Sequence, residues 1–200
     1  MGRVTVTPDP FTVVPYEVPV IAGLVEEAAA LVGFPNTVDI DLEVDEDLPH
    51  PLVGTASDVV DGRAVLWISG GNLEDTHRTR QFSESAARLD LTQMLLRAND
   101  RLSDGFASAP PDVELTLAER IAWDAWTHAR AGRLGLPTRV DRMRYDFRLQ
   151  HGFSDAADSA FDRLWDAQTL SWDGLREICK ETGAADRPPT KVPSDLLRRK

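Results

Sequence analysis

The sequence predicts an α+β protein, with a small, mostly antiparallel sheet packed by helices and a helical C-terminal half. Three observations support this fold class. Apolar and acidic residues alternate strictly over residues 37–47, as in a half-buried strand. Residues 57–69 have the pattern of a hairpin. Residues 82–103 form the longest amphipathic stretch, which is typical of a helix packed on a core.

The N-terminal elements follow from residue type and spacing. Residues 3–15 are β-rich but contain three prolines, so we expect an edge strand or an extended arm. Residues 19–33 are predicted to be a helix, with Pro19 suited to its first turn and Gly33 ending it. This segment leads into the alternating strand at 37–47, whose acidic face is expected to be solvated.

The predicted hairpin turns at Asp61-Gly62, because both residue types tolerate the positive φ of a tight turn. Its second arm, residues 63–69, is apolar enough to be a central strand. The segment 73–81 is polar and is predicted to be a loop. It leads into the helix at 82–103, for which Ser83 is a plausible N-cap.

The helix at 82–103 carries an apolar stripe and a separate polar line. The stripe contains Ala87, Leu91, Met94, Leu95, Ala98 and Leu102. The polar line contains Asp90, Gln93 and Arg97, which are the first candidate functional residues. We place their candidate pocket between the hairpin and this helix.

A proline-containing loop at 104–114 separates a β-containing half, residues 1–103, from a helical half, residues 115–183. The expected organisation is a single α+β domain over residues 1–183. Residues 184–200 contain three prolines and five Lys or Arg, which predicts a flexible basic tail. Four side chains are expected to cap the helices of the second half: Thr116, Thr138, Ser154 and Ser171.

The net charge, the cysteine content and the lengths of the apolar runs disfavour several classes of function. The net charge of −11 disfavours binding to nucleic acid or to anionic membranes, because both repel an acidic surface. A single cysteine, Cys179, excludes an intramolecular disulfide and indicates a reducing compartment. The N-terminus lacks a leader pattern, and no apolar run is long enough to span a membrane. We therefore predict a soluble, cytoplasmic protein.

No catalytic or cofactor motif is recognisable. The chain has neither a G-x-G-x-x-G nor a G-x-x-x-x-G-K-[ST] phosphate loop, and it has no G-x-S-x-G nucleophile turn. Its four histidines are scattered, whereas a zinc site needs several His or Cys ligands at close spacing. The sequence therefore predicts no catalytic residue, no metal site and no cofactor.

Two further candidates lie on the predicted helix that Thr116 caps. His128 is either a base or ligand in an aromatic pocket, or a partly buried side chain packed beside Trp123 and Trp126. The two tryptophans are either an interaction patch or core residues. We take Trp123 and His128, together with the polar line, as the candidate pocket.

Two charged groups allow both a functional and a structural interpretation. Asp39 and Asp41 share one face of the acidic strand, where they could bind Mg²⁺ or form an acid/base pair, or could form a solvated edge. A basic segment could meet a phosphate or an acidic partner, or pair with the protein's own acidic strand. It comprises Arg130, Arg133, Arg139, Arg142, Arg144 and Arg148.

The order helix, acidic strand, hairpin, long helix and further helices over residues 19–135 resembles the small zincin-type metallopeptidase scaffold. In that family the long helix carries H-E-x-x-H. Here Leu89 and Gln93 stand at the positions of the two histidines, and Asp90 stands at that of the general-base glutamate. Leucine cannot bind zinc and glutamine binds it poorly, so the resemblance implies a non-catalytic relative.

We therefore expect a non-enzymatic binding or interaction protein on a degenerate zincin-like scaffold. Its partner would be another protein or a second copy of the chain. The alternative is a hydrolase-type enzyme whose site lies between the hairpin and the long helix.

Overall fold

The computed structural model describes residues 2–184, which form two compact units. The division falls between Asn99 and Asp100, inside the helix α2 (Glu84–Arg101), a few residues before the loop at 104–114. All but the first residue of the predicted basic tail at 184–200 lies outside the described residues. Across this described range, every helix is too short or too polar to cross a membrane.

The first unit contains a four-stranded sheet in the order β1-β2-β4-β3. Strands β1 and β2 are parallel, β2 and β4 are parallel, and β3 and β4 are antiparallel. The helix α1 joins β1 to β2, with Pro19 in its first turn. The bounds of these elements are β1 Val4–Thr7, α1 Val18–Leu31, β2 Ile40–Asp45, β3 Thr55–Val60 and β4 Arg63–Ser69.

The α+β class is confirmed, but the expectation of a mostly antiparallel sheet is wrong. The predicted hairpin does form, and its turn residues Asp61 and Gly62 have φ values of 50° and 74°. However, the acidic strand β2 is not an edge strand, because it lies between β1 and β4 and is parallel to both. Local alternation reveals that a segment is a strand, whereas strand direction depends on the pairing partner.

The segment between β4 and α2 is also more ordered than predicted. A 3-10 turn, Gly70–Leu73, leads into a two-stranded hairpin of β5 (Glu74–Asp75) and β6 (Arg78–Phe82), so the expectation of a loop at 73–81 is wrong. The turn lies against the loop that follows β2. A Cβ atom at Gly71 would stand 2.6 Å from the backbone nitrogen of His50, so only glycine fits there.

The core of the first unit is mainly aliphatic. Five residues of the α2 stripe, Ala87, Leu91, Met94, Leu95 and Ala98, are buried in one cluster with residues of α1 and of the sheet. The hydroxyl of Ser57 on β3 donates to the backbone oxygen of Met94 at 2.9 Å, which fixes α2 against the sheet. Leu102, the sixth predicted member of the stripe, follows the end of the helix and is 37% exposed.

The second unit is helical over residues 100–184. Thr116 forms the predicted capping box with Glu119, and Ser154 and Ser171 cap their helices as expected. The cap predicted at Thr138 is wrong, because α4 begins after Arg139 without a side-chain cap. The helices are α3 Leu117–Arg133, α4 Val140–His151, α5 Asp155–Asp166 and α6 Trp172–Glu181, preceded by 3-10 turns at Asp104–Phe106 and Asp112–Glu114.

The core of the second unit is aromatic. Phe106 stacks on Trp123 at 4.7 Å and on Trp126 at 5.5 Å between ring centroids. Both tryptophans are buried, so they are core residues and not an exposed interaction patch.

Candidate functional site

Polar residues gather where the parallel strands of the first unit end. Asp45 of β2 is paired with Ser69 of β4, so the segments that follow the two strands begin at the same edge of the sheet. One segment starts with Glu46 and the other runs through Asn72 to Glu74. Because carboxyl ends of parallel strands commonly carry the binding sites of such sheets, this edge is the first place to look for function.

Glu46 binds the N-terminal arm of the chain. Its carboxylate accepts hydrogen bonds from the backbone amides of Thr12 at 2.9 Å, Val13 at 2.6 Å and Val14 at 3.3 Å, and from the Thr12 hydroxyl at 2.9 Å. Burial acts to raise the pKa of Glu46, but the hydrogen bonds from residues 12–14 outweigh it and lower that pKa below its usual 4.5. Glu46 is therefore an ionised anchor at neutral pH.

Next to this anchor lies a second buried cluster, formed by Tyr16, Glu74 and Arg80. Glu74 is 1% exposed, and its Oε2 atom accepts from the backbone amide of Arg80 at 2.8 Å. The Arg80 guanidinium donates to the backbone oxygen of Glu46 at 2.6 Å, and its φ of 61° is unusual for a residue other than glycine. Within residues 2–184, neither the Tyr16 hydroxyl nor Glu74 Oε1 has a hydrogen-bond partner.

Two of its side chains, Tyr16 and Glu74, are closed to solvent. Burial first, and then the Glu74 charge, raise the pKa of Tyr16 to about 12, so the phenol stays protonated at neutral pH. The Tyr16 ring is packed edge-on against Phe82 at 5.4 Å and Phe11 at 5.9 Å. Because its two unpaired oxygen atoms are inaccessible, the cluster cannot exchange protons with a substrate unless this region opens.

The candidate residue Asp90 belongs to a separate hydrogen-bond chain, which we call the Asn72–Asp90 link. Asn72 Nδ2 donates to Asp90 Oδ2 at 2.8 Å, and Asn72 Oδ1 accepts from the amide of Gly54 at 2.7 Å. The hydroxyl of Ser69 lies 2.8 Å from the same Asn72 oxygen and 2.9 Å from the backbone oxygen of Leu52. The link therefore connects α2 to the turn after β4 and to the loop before β3.

The other two residues of the polar line follow Asp90 along α2. Gln93 is partly buried, and its Nε2 atom has no partner in the described part of the chain. Arg97 is 5% exposed, so it is not on a solvated face. The structure thus confirms that Asp90, Gln93 and Arg97 share α2, and the Asn72–Asp90 link ties Asp90 to the turn after β4.

Trp123 and His128 lie in the second unit, where each has a hydrogen-bond partner. The indole nitrogen of Trp123 donates to Asp100 Oδ2 at 2.8 Å, and Arg130 donates to both oxygens of Asp100 at 2.7 and 2.6 Å. Nδ1 of His128 lies 2.9 Å from the backbone oxygen of Asp124, one turn earlier in α3. Trp123 is therefore a core residue that completes a buried ion pair.

Sequence reasoning passed over His151, a buried histidine of the second unit. Its ring stacks on Phe147 at 3.8 Å, with Nε2 3.1 Å from the Ala118 oxygen and Nδ1 2.8 Å from the Thr182 hydroxyl. Burial lowers the pKa of His151 to about 4, against the opposing effect of the bond to Ala118. Burial likewise raises the pKa of Cys179 to about 12, so this thiol is unreactive at neutral pH.

The acidic pair on β2 is held by an arginine. Arg63 binds both oxygens of Asp41, through Nε at 2.9 Å and Nη2 at 2.7 Å, and lies 3.8 Å from Asp39. Asp39 also accepts from the backbone amide of Arg3 at 2.8 Å. The pair is thus neither a solvated edge nor a free set of ligands. Within residues 2–184, no group of three or more His, Cys, Asp or Glu could hold a metal ion.

The basic segment pairs mainly with the second unit's own acids, not with the acidic strand. Arg144 meets Asp162 at 2.5 Å, and Arg148 meets Asp158 at 2.7 Å, so α4 is fastened to α5. Arg133 instead donates to the backbone oxygens of Trp165 and Ala167, at the end of α5. The pairing is therefore internal, but its partners are not those of the acidic strand.

The sequence analysis did not identify the polar cluster of Glu46, Glu74, Tyr16 and Arg80. The available signal was their position, since Glu46 directly follows β2 and Glu74 follows the turn after β4. In a mostly antiparallel sheet these two ends would lie at opposite edges, so the mistaken strand direction concealed the cluster.

No protein-family model, curated protein or solved structure matches this chain.

Proposed function

We propose that this chain is a non-enzymatic, cytoplasmic binding protein on a degenerate zincin-like scaffold. The Asn72–Asp90 link is the observation that carries the proposal. Asp90 stands where the scaffold would place a general base, yet its carboxylate accepts a hydrogen bond that ties α2 to the turn after β4. A general base needs an oxygen directed at a water or substrate proton, whereas this oxygen serves a structural connection.

Two neighbouring positions support the same proposal. In the proposed resemblance, Leu89 and Gln93 of α2 stand where the two metal-binding histidines would be. Leucine has no lone pair to offer a metal, and glutamine binds zinc poorly. The elements α1, β2, the β3–β4 hairpin and α2 follow in the order of the resemblance, with the additional β5–β6 hairpin before α2.

Turnover measurements test the non-enzymatic part of the proposal. We expect no hydrolysis of peptide, ester or phosphoester substrates, with or without added Zn²⁺, Mg²⁺ or Mn²⁺, and no stoichiometric zinc in the purified chain. Turnover above that of the Asp90→Asn variant would contradict the proposal and favour the hydrolase alternative.

A restoration experiment tests the scaffold. Leu89→His, Asp90→Glu and Gln93→His together rebuild H-E-x-x-H on α2, with two histidines four residues apart on one helix face. The matched control places two histidines at the same spacing on the outer face of α4, through Arg142→His and Asp146→His. A zincin-like scaffold should give the α2 variant the tighter zinc affinity, whereas equal affinities would contradict it.

A further inference from the structure

The N-terminal arm that Glu46 binds connects β1 to α1 and does not belong to the sheet. We define this arm as residues 8–16. Its two ends are fixed, because β1 ends at Thr7 and α1 begins at Val18. Prolines at positions 8, 10 and 15 have no N–H group to donate, so the arm is a poor strand.

One carboxylate makes the hydrogen bonds that attach the arm. Glu46 accepts from the backbone amides of Thr12, Val13 and Val14 and from the Thr12 hydroxyl. In the part of the chain that the structure describes, no other hydrogen bond joins residues 8–16 to the remaining residues. The attachment of the arm therefore depends on a single side chain, which we call the Glu46 clasp.

Apolar packing supplements the Glu46 clasp. Val14 is 5% exposed and Tyr16 is 8% exposed, and both belong to the core of the first unit. Thr12 and Val13, by contrast, are exposed, so the middle of the arm lies at the surface. Outward movement of the arm would therefore expose Val14 and Tyr16, whose burial favours the closed position.

The closed position also leaves two oxygen atoms unsatisfied. The Tyr16 hydroxyl and Glu74 Oε1 are enclosed, and neither has a hydrogen-bond partner within residues 2–184. A buried polar group without a partner costs free energy, and this cost disappears when water reaches the group. The Glu46 clasp and the apolar contacts thus favour the closed arm, whereas the two enclosed oxygen atoms favour an open one.

From this opposition we propose that the N-terminal arm is a lid that opens without unfolding of the first unit, with the Glu46 clasp holding it shut. Opening brings the Tyr16 hydroxyl into solvent and gives water access to Glu74. The flanking elements stay in place, because Val6 of β1 and Ile21 of α1 are buried in the common core. The lid thereby controls access to the buried polar cluster at the carboxyl edge of the sheet.

Tyrosine labelling tests the lid, because the chain has only two tyrosines, Tyr16 and Tyr145. Tyr145 is 50% exposed, so the Tyr145→Phe variant leaves the enclosed Tyr16 as the one phenol that tetranitromethane can nitrate. In this background Glu46→Gln should speed the nitration of Tyr16 by about tenfold or more, because the arm loses its bonds to a charged acceptor.

The matched control is Glu17→Gln, which makes the same exchange at an exposed position next to the arm. This control should leave the nitration rate of Tyr16 unchanged. Equal nitration rates in the Glu46→Gln and Glu17→Gln variants would overturn the inference, because the Glu46 clasp would then not hold the arm.

Hydrogen exchange of the native chain separates opening of the lid from unfolding and needs no variant. The amides of Val13 and Val14 should be protected at least about tenfold less than those of Leu42 and Leu66 in the inner strands, because a local opening costs less than global unfolding. Equal protection would overturn the lid, since the arm would then open only when the first unit unfolds. Equal loss of protection by the arm and the strands in Glu46→Gln would also overturn it, because Glu46 would then stabilise the whole unit.

Discussion

The two units stabilise buried carboxylates in different ways. In the first unit, Glu46 is surrounded by backbone amides of the N-terminal arm. In the second, Asp100 receives its bonds from the side chains of Trp123 and Arg130. The difference follows from secondary structure, because irregular backbone has amides to spare, whereas the amides within a helix are already paired. A buried carboxylate among helices therefore requires donors from side chains.

This comparison predicts a large effect in the second unit. Asp100→Ala would leave the Arg130 guanidinium without its carboxylate and the Trp123 indole without its acceptor. Loss of one partner from a buried pair typically costs about 3–5 kcal/mol, because the other charge remains buried. Urea denaturation should show a loss of this size. The control is Asp146→Ala, which removes an exposed pair with Arg142 and should cost less than about 1 kcal/mol.

If Asp100→Ala proved as mild as Asp146→Ala, side-chain donors would not be essential in the second unit, and the contrast between the units would fail. Asp100→Asn sharpens the test. It keeps the shape of the side chain but removes the charge, so a loss close to that of Asp100→Ala would identify the ion pair as the main contribution.

Acid should distinguish the units by the pH at which each loses stability. The lowered pKa of His151, about 4, lies below its ordinary 6.5, so the unfolded state binds the proton more readily. The contribution of His151 to the free energy of unfolding is fully present above pH 6.5. It is lost as the pH falls towards 4, and the total loss is about 3 kcal/mol. The pKa of Glu46 in the folded protein lies below 4.5. The stability that Glu46 contributes is therefore present above pH 4.5 and is lost only as the pH falls through this lowered pKa.

Denaturation at a series of pH values tests this order of events. The His151→Gln variant should show a smaller loss of stability between pH 6.5 and pH 4 than the native protein. Glu46→Gln should change the profile only below about pH 4.5. If His151→Gln kept the native slope between pH 6.5 and pH 4, the histidine would not be the acid-sensitive group.

Some of these features were predictable because their signals are local. The Asp61-Gly62 turn, the Thr116–Glu119 capping box and the apolar stripe of α2 each depend on a few neighbouring residues. The parallel direction of β2 and β4 depends on which strands pair, which alternation does not reveal. For the same reason, the sequence did not show that Glu46 and Glu74 follow strands that end at one edge.

For the candidate site, too, the sequence revealed only the relations between residues that are close along the chain. Asp90, Gln93 and Arg97 were correctly placed on one helix, since spacing along a helix fixes which residues share a side. The bond between Trp123 and Asp100 was not predictable, because the two residues are 23 positions apart and no spacing rule connects them. The Asn72–Asp90 link was missed likewise, because its residues are 18 positions apart.

The smallest expected effect concerns the Asn72–Asp90 link. It tests whether a side-chain donor stabilises a carboxylate in the first unit, as side-chain donors do in the second. A double-mutant cycle of Asn72→Ala and Asp90→Ala isolates the bond between the two side chains from their other contacts. We expect a coupling of about 1.5–3 kcal/mol in urea denaturation, the range for a hydrogen bond to a charged group. The control cycle pairs Asp90→Ala with Arg63→Ala, whose carboxylate partners are Asp41 and Asp39 and not Asp90. Coupling below about 0.3 kcal/mol in the first cycle would show that the link contributes nothing. The proposed function would then lose its main support, because the link is the observation that carries it.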